Sequence, residues 1–267
     1  MASSTIYHAR SISLPSRPHP VAEQFTSQLC RLRSSNTAST SSSSVICDLN
    51  GINDLYSCVE EFLQLPINQQ ALSQTNHLLD GSLRLLDICS ASRDALQMSR
   101  ERLQDIQSAL RRRSSGELTV TNEAVEYLNT RRSVKKALKK CLKSLKAVTT
   151  AEQNDVNDVQ EMTAETFRSL LSYIVGSQKS GWSVVGKLIN KNSNKDVSII
   201  SEFDIVDATL NSLISQKKSG MNSSLIENLR TQSLKLESEI QDLDEVLECL
   251  FRHLVKTRAT LLNIFSY

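Results

Sequence analysis

Proline is nearly missing from this 267-residue chain: Pro15, Pro18, Pro20 and Pro66 are all there are, and none follows Pro66. A proline inside a helix removes a hydrogen bond and clashes with the preceding turn, so its absence leaves helices free to run long. Glycine is scarce at seven residues, and aromatic residues make up only 4%. Sheets draw on β-branched and aromatic residues with frequent turns between them, so this composition speaks against a sheet. No run approaches the roughly twenty apolar residues of a membrane-spanning helix, which predicts that the chain is not an integral membrane protein. Charge of one sign is missing too. Lys and Arg total 31 against 29 Asp and Glu, and a net charge of +2 argues against a dedicated nucleic-acid binder. The six cysteines form no CxxC pair, and no signal peptide precedes them, so reduced thiols in an intracellular compartment are expected.

The usual marks of chemistry are missing as well. There is no G-x-G-x-x-G after a strand and no G-x-x-x-x-G-K-[ST], and GSQKSGWSVVG around Trp182 lacks the lysine and hydroxyl spacing of a phosphate loop. His8 and His19 lie near the N-terminus, and neither His77 nor His253 sits in a recognisable motif. Cys249 and His253 are four apart and would share a helix face, but a zinc site needs further ligands, and no second pair of suitable spacing exists. No Glu-x-x-His is present for a di-metal bundle site. The expectation is a non-enzyme with no catalytic, cofactor-binding or metal-binding residues and no small-molecule substrate.

What is there is helical periodicity behind a polar head. Residues 1–44 hold thirteen serines, three of the four prolines, four arginines and one acid, Glu23. Such a segment cannot bury enough apolar surface to offset its ordering entropy, so it reads as a disordered tail, with Ser41 to Ser44 as a linker. Its composition also fits a transit peptide, although the clustered prolines fit an amphipathic presequence poorly. From residue 45 to 267 the sequence predicts one helical domain. A first helix runs through Ile46, Leu49, Ile52, Leu55, Val59 and Phe62 until Pro66; a second runs from about Leu78 to Arg113, closed by Gly116. A third uses Val120 to Leu145, and a T-x-x-Q box at Thr150 and Gln153 restarts a fourth through Ile174. Gly176, Gly181 and Gly186 interrupt it, and residues 190–196 read as a loop before a short helix from Ser201 to Ser215. The last pattern starts at a Ser224, Glu227 capping box and keeps 3-4 spacing from Leu225 to Ile264, about 60 Å at 1.5 Å per residue. The fold expected is all-α: an elongated antiparallel helical bundle of long, coiled-coil-like helices with a disordered N-terminal tail.

Two features suit an interaction protein. Arg131, Arg132, Lys135, Lys136, Lys139, Lys140, Lys143 and Lys146 surround the apolar stripe of Val134, Leu138, Leu142 and Leu145, with no acid among them. Such a helix can meet an acidic protein or an anionic membrane surface, or pair internally with the acids that follow at 152–165 or line the last helix. The second feature is Arg10-Ser11-Ile12-Ser13-Leu14-Pro15, which matches the R-S-x-S-x-P pattern read by 14-3-3 proteins once Ser13 is phosphorylated.

The segments YHARSISLPSRPHP, EQFTSQLCRLRSS, NGINDLYSCVEEFLQLP and SGWSVVGKL together resemble the plant-specific BYPASS-like family of uncharacterised helical proteins. The resemblance covers essentially the whole chain. It implies a plant protein related to a regulator of root and shoot development that restrains a mobile root-derived signal. It brings no established enzyme activity and no functional residue. The expected function is therefore a helical interaction or scaffold protein, cytoplasmic or at the membrane periphery. The alternatives are a membrane-associated protein using the basic helix, and a plastid protein with a dispersed bundle-core site.

Overall fold

The computed structural model describes residues 19–35, 41–72, 77–112, 117–145, 154–176, 201–215 and 223–266. Every element among them is a helix: α1 (Pro20–Ser35), α2 (Ser42–Leu63), α3 (Pro66–Leu72), α4 (His77–Arg111), α5 (Glu117–Ser144), α6 (Asp155–Val175), α7 (Glu202–Ser215) and α8 (Ser223–Ser266). The all-α bundle expected from the periodicity is the fold, and the boundaries of its long helices agree with the sequence patterns within a few residues.

The head of the chain departs from expectation. Pro20 opens α1 instead of forbidding it, because the first position of a helix has no intrahelical use for an N–H. Phe25 and Leu29 of α1 are buried, Leu32 is half-buried, and the Phe25 ring stacks on Phe62 of α2 at 4.2 Å. Residues 20–35 are thus part of the bundle, and the ordered body begins well before residue 45. The serine run is not a linker either: Ser41 caps α2, its hydroxyl accepting from the Ser44 amide, and Ser42 to Ser44 form the first turn. Residues 1–18 lie outside the described residues.

Two other helix ends differ in their chemistry. The expected Thr150 box lies outside the described residues, and α6 is capped by Asn154, whose side chain accepts from the Asn157 amide at 2.7 Å. It closes at Gly176, which donates to the Ser172 carbonyl at 2.9 Å with φ of 73°, a left-handed conformation that favours glycine. Gly116, Gly181, Gly186 and residues 190–196 also lie outside the described residues. Ser224, read as a cap, falls inside α8, which starts at Ser223.

Helix α8 is the spine, about 66 Å long by its 44 residues. Its stripe of Leu229, Leu236, Ile240, Leu243, Leu247, Leu250, Leu254 and Leu261 is buried against α2, α4 and α7. The apolar face is covered within the chain, as the bundle reading requires. Helices α4 and α8 are antiparallel, tied by Arg93 to Asp244 and Glu248 at one level and by Gln107 to Glu237 at another. Helices α2 and α8 instead run in the same direction, since Asn53 meets Val246 while Glu60, further along, meets His253. On the other side of α4 lie α5 and α6, and α7 bridges α5 to α8.

Candidate functional site

The basic helix α5 is wedged between α4, α6 and α7, which splits its cations into two sets. Arg131 goes inward and is 2% exposed. Its Nε donates to Asp207 of α7 at 3.2 Å, one terminal nitrogen donates to the Ile174 carbonyl of α6 at 2.9 Å, and the guanidinium carbon lies 4.5 Å from the centre of the Phe203 ring. Burial works against that charge, but Asp207 beside it wins and holds the guanidinium pKa above its ordinary range. Lys135, one turn on, donates to the other Asp207 oxygen at 2.8 Å and lies 3.9 Å from Asp204. The Tyr127 phenol next to this group is pushed up by burial and then by the Asp207 charge. This is a buried joint: one carboxylate and two cations lock α5, the end of α6 and α7 together.

Internal pairing therefore holds for Arg131 and Lys135, with a different acid from those the sequence suggested. The acids after residue 150 pair elsewhere, Asp158 with Arg33 and Glu165 with Arg168. Those of α8 pair mainly with α4, through Arg93 and Arg100, or within α8. Asp204 and Asp207 sit over seventy residues from Arg131 in the sequence, on a helix whose own pattern gave no hint of a charged partner. The sequence signal was the position of Arg131 on the apolar face of its helix, with Tyr127, Leu128 and Val134 three or four residues away, where a charge needs an acid from elsewhere.

The remaining cations face outward. Arg132, Lys136, Lys139, Lys140 and Lys143 are exposed, and none pairs with a carboxylate among the described residues. At 100° per residue they fall within about one third of the helix circumference. Arg132 donates to Asn129 at 2.7 Å. Exposed Leu118 and Val125 continue the same line toward the helix start. Lys146 lies outside the described residues, and so does the Arg10, Ser11, Ser13, Pro15 motif.

Helix α4 beside it carries a second stripe that the sequence reading passed over. Asp80, Asp87, Asp94 and Glu101 recur every seven residues and all are exposed. Asp80, Asp87 and Asp94 have no cationic partner among the described residues. The signal is a heptad of acids interleaved with the apolar periodicity of the same helix. The α4–α5 pair thus exposes mainly acids along one helix, with Arg84 beside Asp80 and Asp87 as an exception, and mainly cations along the other, with Glu126 nearer its start.

The other concavity of note is a groove of about 370 Å³ between α2 and α8, lined by Asn53, Asp54, Cys249 and His253 among others. His253 is occupied structurally, 3.4 Å from Glu60 and stacked near the Tyr56 ring. Among the described residues no three His, Cys, Asp or Glu side chains converge as metal ligands, and no helix is long and apolar enough to cross a membrane.

A family model described as Protein BPS1 matches residues 48–264, from within α2 to the last turn of α8. No curated protein and no solved structure matches the chain.

Proposed function

The chain belongs to the family of Protein BPS1, a BYPASS-like family, and from that premise we propose that it is a non-enzymatic helical interaction protein of plants, serving root and shoot developmental signalling. Its docking surface is the lysine stripe of α5, and its partner presents an acidic protein surface. One observation carries this reading: five outward cations share a helix face without a carboxylate of their own, beside two that are tied inward. Charges left unpaired on one face raise the encounter rate with an oppositely charged partner and set its orientation. The buried polar side chains support a packing role rather than a catalytic one, since they join helices: Tyr56 to Thr163, Gln160 to the Leu78 carbonyl, Arg131 to Asp207.

A flat anionic membrane fits this face less well than a protein does, because the acids of α4 would meet the same lipid surface and be repelled. The full-length chain is expected to show little binding to vesicles rich in phosphatidylserine. In extracts of root tissue, an immobilised chain should retain partners at low salt and lose them at about 0.5 M, where screening acts within a few ångströms. Substituting Lys136, Lys139, Lys140 and Lys143 by Glu should remove the same partners. Retention of an identical partner set by that variant would overturn the reading. Cytoplasmic residence goes with it, to be checked with a C-terminal fluorescent tag; accumulation of a shortened chain in plastids would contradict that.

A further inference from the structure

The acidic surface that complements the lysine stripe is present on the molecule itself. Helices α4 and α5 follow one another as an antiparallel pair, with Arg111 ending one and Glu117 starting the other. Both rise at the same rate, so Asp87 lies level with Cys141 and Asp94 with Val134. The thiol of Cys141 registers that neighbour: burial pushes it up first, and the Asp87 charge adds to the effect. Lys136, Lys139 and Lys140 therefore stand at the heights between Asp94 and Asp87, on the next helix over.

We propose that the α4–α5 face is a self-association surface, on which the acids of α4 meet the lysines of α5 in a second copy of this chain, and reciprocally. This rests on the reading that the α5 stripe docks an acidic protein surface, and it names that surface. A two-fold axis parallel to the helices keeps every height unchanged while exchanging the two helices, so α4 faces the partner's α5 and the acidic and basic stripes come together at matched levels. The same operation makes both contacts identical, as a closed dimer requires. Exposed Leu83 and Met98 on α4, and Val125 and Leu118 on α5, border the charges with apolar area.

The size of the face sets the expected strength. From Asp80 to Glu101 it is about 32 Å long, and two helices give about 20 Å of width, roughly 640 Å² for each copy. That is below the roughly 800 Å² per partner of a standard stable interface. Exposed ion pairs add little each and are screened by salt. The dimer is therefore a weak one, formed with rising concentration and dissolved by salt.

Sedimentation equilibrium of the full chain tests this with two charge reversals, Asp87→Lys with Asp94→Lys, and Lys136→Glu with Lys140→Glu. At about 0.05 M salt the wild-type mass should climb from that of one chain toward twice that value with concentration, and at about 0.5 M it should stay at one. Each variant alone should stay monomeric, since at the levels between Asp94 and Asp87 its reversed side chains meet like charges of the second copy in both contacts. An equimolar mixture of the two should regain the doubled mass, because both contacts become attractive again, and this recovery excludes misfolding as the cause of the losses. A wild-type chain monomeric throughout, variants that dimerise normally, or a mixture that fails to recover would each overturn the proposal. If self-association is absent while the four-lysine variant still loses its partners from extracts, the second copy is wrong and the acidic-partner reading survives. If partner retention is unchanged as well, both fall.

Discussion

Within one turn of α5, Arg131 and Lys135 share Asp207 and yet belong to different energetic regimes. Arg131 is 2% exposed, and Asp207 is its only carboxylate hydrogen-bond partner among the described residues. Taking away one member of a buried pair leaves an uncompensated charge, which costs about 3–5 kcal/mol. Asp207→Ala should therefore lower the urea midpoint by that much stability with little change in slope. Lys135→Ala removes a half-exposed cation while Arg131 still neutralises the carboxylate, and should cost less than about 1 kcal/mol. Equal losses for the two variants would show that the joint is solvated and that Arg131 is not its keystone. The sequence could announce eight cations around an apolar stripe but not their division, because the division depends on which face of α5 meets α7. That contact is made by tertiary packing over a long sequence separation, which helical periodicity does not encode.

Helix by helix, the sequence was most legible where apolar spacing persisted. The stripes of α4, α5 and α8 could be followed through several turns, and each is the buried face. Helix α1 was missed for a compositional reason. Val21, Ala22, Phe25, Leu29 and Leu32 have helical spacing, but they are diluted by serine and arginine and preceded by three prolines, so the segment has too little apolar surface to fold on its own. Its order is borrowed from α2, through the Phe25–Phe62 stack, and from the Arg33–Asp158 ion pair to α6. This yields a test that separates a docked helix from a tail. Truncating a fully buried Phe costs about 3–5 kcal/mol in a core, and nothing in a disordered segment. Phe25→Ala should destabilise the whole bundle by an amount in that range, measured by urea unfolding, and Phe62→Ala should match it with little additivity in the double variant. An unchanged midpoint for Phe25→Ala would mean that α1 opens independently of the rest.

At the level of the whole molecule, a net charge of +2 conceals segregation. Asp244, Glu248 and Glu237 of α8 are matched by the arginines of α4 at the helix–helix boundary, while Asp80, Asp87 and Asp94 of α4 and the outward lysines of α5 are left without ion pairs among the described residues. Such a molecule has little long-range field and a strongly patterned near field, which suits recognition at contact distance rather than steering from afar. The pattern works only if α4 and α5 keep their register, and the register depends on α8. Helix α8 touches α2, α3, α4 and α7, so these helices cannot part from it without exposing its leucine stripe, and α5 and α6 are packed in turn on α2, α4 and α7. Unfolding should accordingly be a single cooperative transition, coincident when followed by far-UV circular dichroism and by tyrosine absorbance. Leu250, fully buried in the middle of α8, is the sensitive probe. Leu250→Ala should cost about 2–5 kcal/mol and move both transitions together. If the two probes separate, α8 binds its neighbours as independent halves, and the charged face of α4 and α5 would then need another source of rigidity to hold its register.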